Sequence, residues 1–240
     1  MHLTALELTI LLLSVVVGGV IQGSIGFGLA LVVTPILSLV APRSIPATIL
    51  FLALPMTVWM ALRERSAIDK RGFVEITLGR LPGTAVAAFL IGIIPGSRVT
   101  ALIGAVVIAA ALLSSFAPEF ELRTRLRVTA GVASGFMGTI AAVGGPPLAL
   151  AYQRQPGPEL RSTLAVSFVV GSILSLGALG IANEVRLAHL MLALQLLPGL
   201  VLGLFLAGKL SALLDRRWLR PAVLIFAVVS GLVAMWKGLA

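Results

Sequence analysis

Two stretches decide how this chain folds: Gly19-Val20-Ile21-Gln22-Gly23-Ser24-Ile25-Gly26-Phe27-Gly28, and Gly131-Val132-Ala133-Ser134-Gly135-Phe136-Met137-Gly138 with Gly144-Gly145-Pro146-Pro147 behind it. Each lies inside an apolar run, 4–40 and 128–153, that is long or glycine-broken for one membrane crossing. A helix rises ~1.5 Å per residue and needs about 20 apolar residues to cross a ~30 Å hydrocarbon core. The remaining apolar runs, 45–62, 73–94, 98–117, 160–182, 187–208 and 218–236, read as ordinary spans. With 59% hydrophobic and 11% charged residues among 240, the chain carries less than half of the ~25% charge of a soluble domain. A soluble enzyme, a nucleic-acid-binding domain and a disordered protein are excluded on that ground, and a polytopic membrane protein remains.

The two glycine stretches belong to an internal repeat. Gly19, Gly23, Gly26 and Pro35 align with Gly131, Gly135, Gly138 and Pro147 at one offset of 112 residues. Arg43-Ser44 aligns with Arg161-Ser162 at 118. Leu81-Pro82-Gly83 aligns with Leu197-Pro198-Gly199, and Phe89-Leu90 with Phe205-Leu206, at 116. The chain therefore reads as two homologous halves, 1–117 and 118–240, together forming one transport domain.

Loop charge sets the orientation. The net charge of +9 resides largely in the loops 63–71, 123–127 and 209–220, and the positive-inside bias places all three in the cytoplasm. Anionic lipid headgroups, rather than a polyanion, are the expected partner of these charges. Three apolar runs separate the second loop from the third, so 128–153 must enter and return as a broken hairpin. Applied to 4–40, the same logic gives each half a broken hairpin plus three spans. The halves then enter from opposite faces, making an inverted repeat. Trp59 and Trp218 fall at one membrane boundary and Trp236 at the other.

Irregular backbone survives in lipid only where protein or a watery cavity surrounds it, and discontinuous helices in inverted repeats are how secondary transporters build midplane sites. A helix should restart near Gly28-Leu29-Ala30 and another near Gly145-Pro146-Pro147-Leu148. Two helix N-termini facing one cavity attract an anion through their free N–H groups. Candidate substrate-binding residues are Gln22, Gly23, Ser24, Gly26, Phe27, Gly28, Ser134, Gly135, Gly138, Thr139, Gly144 and Gly145. Pro35, Pro82, Pro147 and Pro198 are candidate hinges. The competing reading is close helix packing, for which Gly-x-x-x-Gly spacing is also the mark. Arg80, well inside 73–94, is a further candidate for the anion; snorkelling to headgroups or pairing with Glu75 is its alternative. His189 is expected at an interface. Acidic residues are scarce within the spans, which argues against a cation as substrate.

The glycine-rich first segment leading to Pro35, its repeat ending Gly144-Gly145-Pro146-Pro147, and the length of about 240 residues resemble the sulfite exporter TauE/SafE family over essentially the whole chain. The resemblance implies a bacterial inner-membrane permease, multi-pass, for sulfite, a sulfonate or a related small anion. The two halves are not equivalent, since Phe27 aligns with Thr139 and Gly28 with Ile140. The expected fold class is an all-α polytopic membrane protein of two inverted-topology repeats, each a glycine-broken helical hairpin plus three transmembrane helices. The expected function is a secondary transporter working by alternating access, with an anion channel sharing the same site as the alternative. No enzyme constellation and no phosphate-binding loop is present in the sequence. The expected partners are a small anionic substrate, with a coupled proton as a candidate, and the lipid bilayer. Nucleic acid is not expected, a homodimer is a candidate assembly, and no cofactor or metal is called for.

Overall fold

A computed structural model describes residues 3–116, 121–210 and 216–239. The boundary between the proposed halves at 117/118, residues 211–215, and the side chain of Trp218 lie outside the described residues. Helices make up the described chain, with no strand. They are α1 (Ala5–Ile25), α2 (Leu29–Val40), α3 (Ala47–Arg63), α4 (Lys70–Ile93), α5 (Gly96–Phe116), α6 (Thr124–Ala141), α7 (Gly145–Ala151), α8 (Gly157–Ile181), α9 (Leu187–Leu210) and α10 (Arg216–Leu239). Stretches within α1, α4, α5, α8 and α9 are long and apolar enough to cross a membrane. Large apolar side chains such as Leu78, Phe89, Ile181, Phe205 and Trp236 stand exposed on the outer surface, which suits lipid rather than water.

Both long apolar runs are hairpins, the first broken at Gly26–Gly28 as expected, the second not at Gly135–Gly138, which α6 runs through, but later, at Ala142–Gly144. Thr4 and Glu7 start α1 with reciprocal side-chain caps, Glu7 accepting from the Thr4 N–H at 2.8 Å and Thr4 from the Glu7 N–H at 3.3 Å. The helix stops at Gly26, whose φ of 98° lies in the left-handed region; Gly28 follows at 129°, and α2 then doubles back on α1. α6 stops at Ala142, itself left-handed at φ 59°. α7 starts at Gly145 with Pro146 in its first turn, as the sequence anticipates. α7 turns back towards the start of α6 without reaching it, and side chains close the gap: Tyr152, just past α7, donates to Asp69, which also faces Arg127 of α6.

One expectation needs adjusting. α1 has 21 residues and is about 31 Å long, sufficient to cross the hydrocarbon core by itself. The Gly26 break therefore lies against Arg161 and Leu160, near the end that carries the 63–71 loop, rather than halfway. The returning segment climbs back, so that Leu29 regains the level of Gln22.

Helices pair closely through glycine. A Cβ on Gly19 of α1 would lie 3.3 Å from the Gly203 Cα of α9, and one on Gly79 of α4 would lie 3.2 Å from the Gly131 Cα of α6. Gly104 of α5 and Gly231 of α10 face each other's backbone in the same way. α3 packs on α8. Thus Gly19 and Gly131 serve the close-packing role that their spacing also allowed.

Candidate functional site

Where the two hairpins restart, the helices leave a cavity of about 50 Å³. One water occupies about 10–15 Å³ on this measure, so there is room for about four waters or one small oxyanion. Phe27 to Leu31 form one wall and Ala142 to Pro146 the other. α3 contributes Ala53 and Thr57, and α8 contributes Phe168 and Ser172. Of the residues singled out from sequence, Gln22, Phe27, Gly28, Arg80, Gly138, Gly144 and Gly145 line it.

Arg80 is the charged side chain of this cavity, and it is 2% exposed. It neither snorkels nor pairs with Glu75. Five helical residues turn the chain through about 500°, which places positions 75 and 80 some 140° apart around α4. Glu75 instead binds Arg71 and Arg127 at 3.0 Å each. The Arg80 guanidinium points inward: Nη1 donates to Ser134 Oγ at 2.7 Å, and Ser134 Oγ donates onward to the Gly144 carbonyl at 2.6 Å. Glycines make the seat. A Cβ on Gly171 of α8 would overlap the guanidinium, and one on Gly138 would lie 3.2 Å from Nη2. Nε is buried with no hydrogen-bond partner, and no carboxylate pairs with Arg80 among the described residues. Burying an uncompensated cation costs several kcal/mol, so the arrangement favours an anion arriving to neutralise it.

The opposite wall is the start of α2. Gln22 Oε1 accepts from the Leu29 N–H at 3.1 Å, orienting the first turn. The Ala30 and Leu31 N–H groups have no partner within the helix, and both residues line the cavity. The matching start of α7 is poorer than expected. Pro146 and Pro147 have no N–H to give, so within Gly145-Pro146-Pro147 only Gly145 keeps a donor. The two helix starts are unequal, and Arg80 stands on the side that lacks donors.

Other candidate residues lie off the cavity wall. A Cβ on Gly23 would fall 2.7 Å from the Ala207 Cβ of α9, and Gly135 packs on the Arg80 backbone, its Cβ position 3.0 Å from the Arg80 Cα. Ser24 donates to the Val20 carbonyl of its own helix at 2.8 Å, while Thr139 bonds Ser175 at 2.7 Å. Pro35, Pro82 and Pro198 sit inside the continuous helices α2, α4 and α9, and Pro147 in the first turn of α7. His189 is buried and accepts from the Arg186 N–H at 3.3 Å, closing the start of α9 away from the cavity. Sequence reasoning missed Gly171 and Ser172. Their signal was a small and a polar residue side by side in the middle of an apolar span.

No curated protein and no solved structure gives a significant match to the chain. A model of one family does, the sulfite exporter TauE/SafE family, and it covers residues 10–234 of 240, taking in both hairpins, Arg80 and every helix that lines the cavity. The chain belongs to the sulfite exporter TauE/SafE family.

Proposed function

We propose that the chain is a secondary transporter of the bacterial inner membrane that carries a small oxyanion, such as sulfite, through the cavity by alternating access. Family membership makes it a multi-pass membrane permease for sulfite or related anions, and not an enzyme. The observation that carries the finer reading is Arg80: a buried guanidinium, paired with no carboxylate among the described residues, held by Ser134 and Gly171 and lining the cavity with the first turn of α2. Arginine presents a planar fork of donors suited to an oxyanion, and the N–H groups of Ala30 and Leu31 supply the second contact.

The packing of the helices supports reading residues 1–117 and 118–240 as inverted repeats that move against each other. α1 pairs with α9, α4 with α6, α5 with α10 and α3 with α8, so each of the four most extensive helix pairs takes one helix from each half. If the halves exchange under a pseudo-two-fold axis, α1 with α9 maps onto α6 with α4, and the other two pairs map onto themselves.

The test is counterflow in proteoliposomes loaded with unlabelled sulfite, thiosulfate, a short sulfonate or a small carboxylate. A transporter gives transient uphill uptake of the labelled anion. Downhill flux without counterflow makes the chain a channel and overturns alternating access. Arg80→Gln should raise the half-saturation concentration with unchanged expression; unaltered kinetics would remove Arg80 from the site.

A further inference from the structure

Beneath the cavity, towards the end with the 63–71 and 123–127 loops, the structure stacks two layers. The first is apolar. Ile76 of α4, Leu148 of α7, Leu164 of α8 and Tyr152 are buried together, with Phe27 and Phe168 of the cavity wall packed on them. The second is polar. The Tyr152 hydroxyl donates to Asp69 at 2.8 Å, the Asp69 N–H donates to Thr163 Oγ at 3.0 Å, and Arg127 bridges Asp69 at 3.3 Å and Glu75 at 3.0 Å. Beside them Arg161 holds Glu64 at 2.6 Å.

Every one of these ties joins residues 64–76 of the first half to residues 127–163 of the second. The seat for Tyr152 is specific. Asp69 caps α4 through the Gly72 N–H at 2.9 Å, and a side chain on Gly72 would overlap the Tyr152 hydroxyl. The same glycine clears the Asp69 carboxylate, but a cap that served α4 alone has no need of a buried phenol from the end of α7. Tyr152 spans both layers, its ring in the apolar plug and its hydroxyl in the polar tie.

We propose that Tyr152 and Asp69, with the Arg161–Glu64 pair beside them, form a latch that shuts the cavity from the face bearing the 63–71 loop, and that this latch must part each time the site opens to that face. The inference rests on the alternating-access reading above and adds to it the gate and the side on which it lies. Breaking a single tie shifts the closed–open equilibrium without dismantling the fold, since the apolar plug remains.

The chain has no cysteine, so one introduced thiol reports access without background. Ser172→Cys places that thiol in the cavity wall. Its modification by a membrane-impermeant maleimide is timed on purified full-length chain reconstituted in one orientation, with reagent added to either face and no substrate present. With the latch intact, labelling from the loop face is slow. Tyr152→Phe keeps the ring and deletes the hydroxyl, and it should speed labelling from that face roughly tenfold, as the loss of one hydrogen bond to a carboxylate implies. Arg161→Gln should act in the same direction. Unchanged rates in both variants overturn the latch, as does an equal rise from both faces, which would mean general loosening. Failure of the anion-site reading shows separately: added sulfite then does not protect the thiol, whatever the latch variants do.

Discussion

Replacing Gly171 by alanine probes the anion site from the far side of the cavity. The added Cβ would overlap the guanidinium of Arg80, and the three atoms nearest to it all belong to that side chain. The obstruction is therefore the tip of a long side chain, which can move. α8 should tolerate the change, and in a helix interior glycine to alanine adds up to about 1 kcal/mol of stability. The effect falls on Arg80. Displaced from its seat, it loses the 2.7 Å bond to Ser134. A hydrogen bond to a charged group contributes about 1.5–3 kcal/mol, so anion affinity should fall roughly ten- to a hundredfold. The measurement is the half-saturation concentration for sulfite counterflow, with thermal unfolding of the purified protein followed in parallel. Half-saturation should rise by that factor, while the helix gain offsets part of the lost bond and the unfolding temperature falls by only a few degrees. The control is Arg80→Gln, on whose background Gly171→Ala should add nothing, because the two changes act through the same contact. A half-saturation within about twofold of the parent, or an equal Gly171→Ala effect on both backgrounds, refutes the role given to the seat.

Three further outcomes are expected. Gln22→Leu removes the acceptor of the Leu29 N–H, and losing a cap of this kind costs about 1 kcal/mol, which should lower the unfolding temperature by roughly 2–4 °C. Gly131→Leu drives a side chain into the Ile76 carbonyl of α4, a backbone atom that cannot yield, so the monodisperse yield on size exclusion should collapse rather than the kinetics shift. Reporter fusions at 66–69 and 122–124 should share a face, with 183–185 on the other; a split between the first two would break the proposed topology.

The spans of α4, α5, α8 and α9 and the first break were legible in the sequence because lipid leaves little freedom, whereas the second break was misread at Gly135–Gly138, glycines that α6 runs through to Ala141. The restarts at Leu29 and Gly145 were readable for the same reason, through glycine and proline. What each glycine does was not legible. Gly19, Gly23 and Gly131 look like Gly28 and Gly144 in sequence, yet the first three meet a neighbouring helix and the last two meet the cavity. That distinction depends on which helix lies opposite, and spacing along one helix does not carry it. The Tyr152–Asp69 tie joins residues 83 apart in the chain and has no local pattern at all.

Arg80 shows where the two halves divide the work. Its counterpart in the repeat is Leu196, fully buried in the core, so the cation is supplied once. The reason lies on its own side of the cavity in the first turn of α7, where Pro146 and Pro147 take away donors that the first turn of α2 retains. Proline gives α7 a sharp start after the break, at the expense of its pull on an anion. A guanidinium brought in from α4 restores that pull. It arrives from residues 1–117, but its seat, Ser134 and Gly171, belongs to residues 118–240. On the proposed reading neither half alone contains a complete site, and relative motion of the halves would act on that site directly.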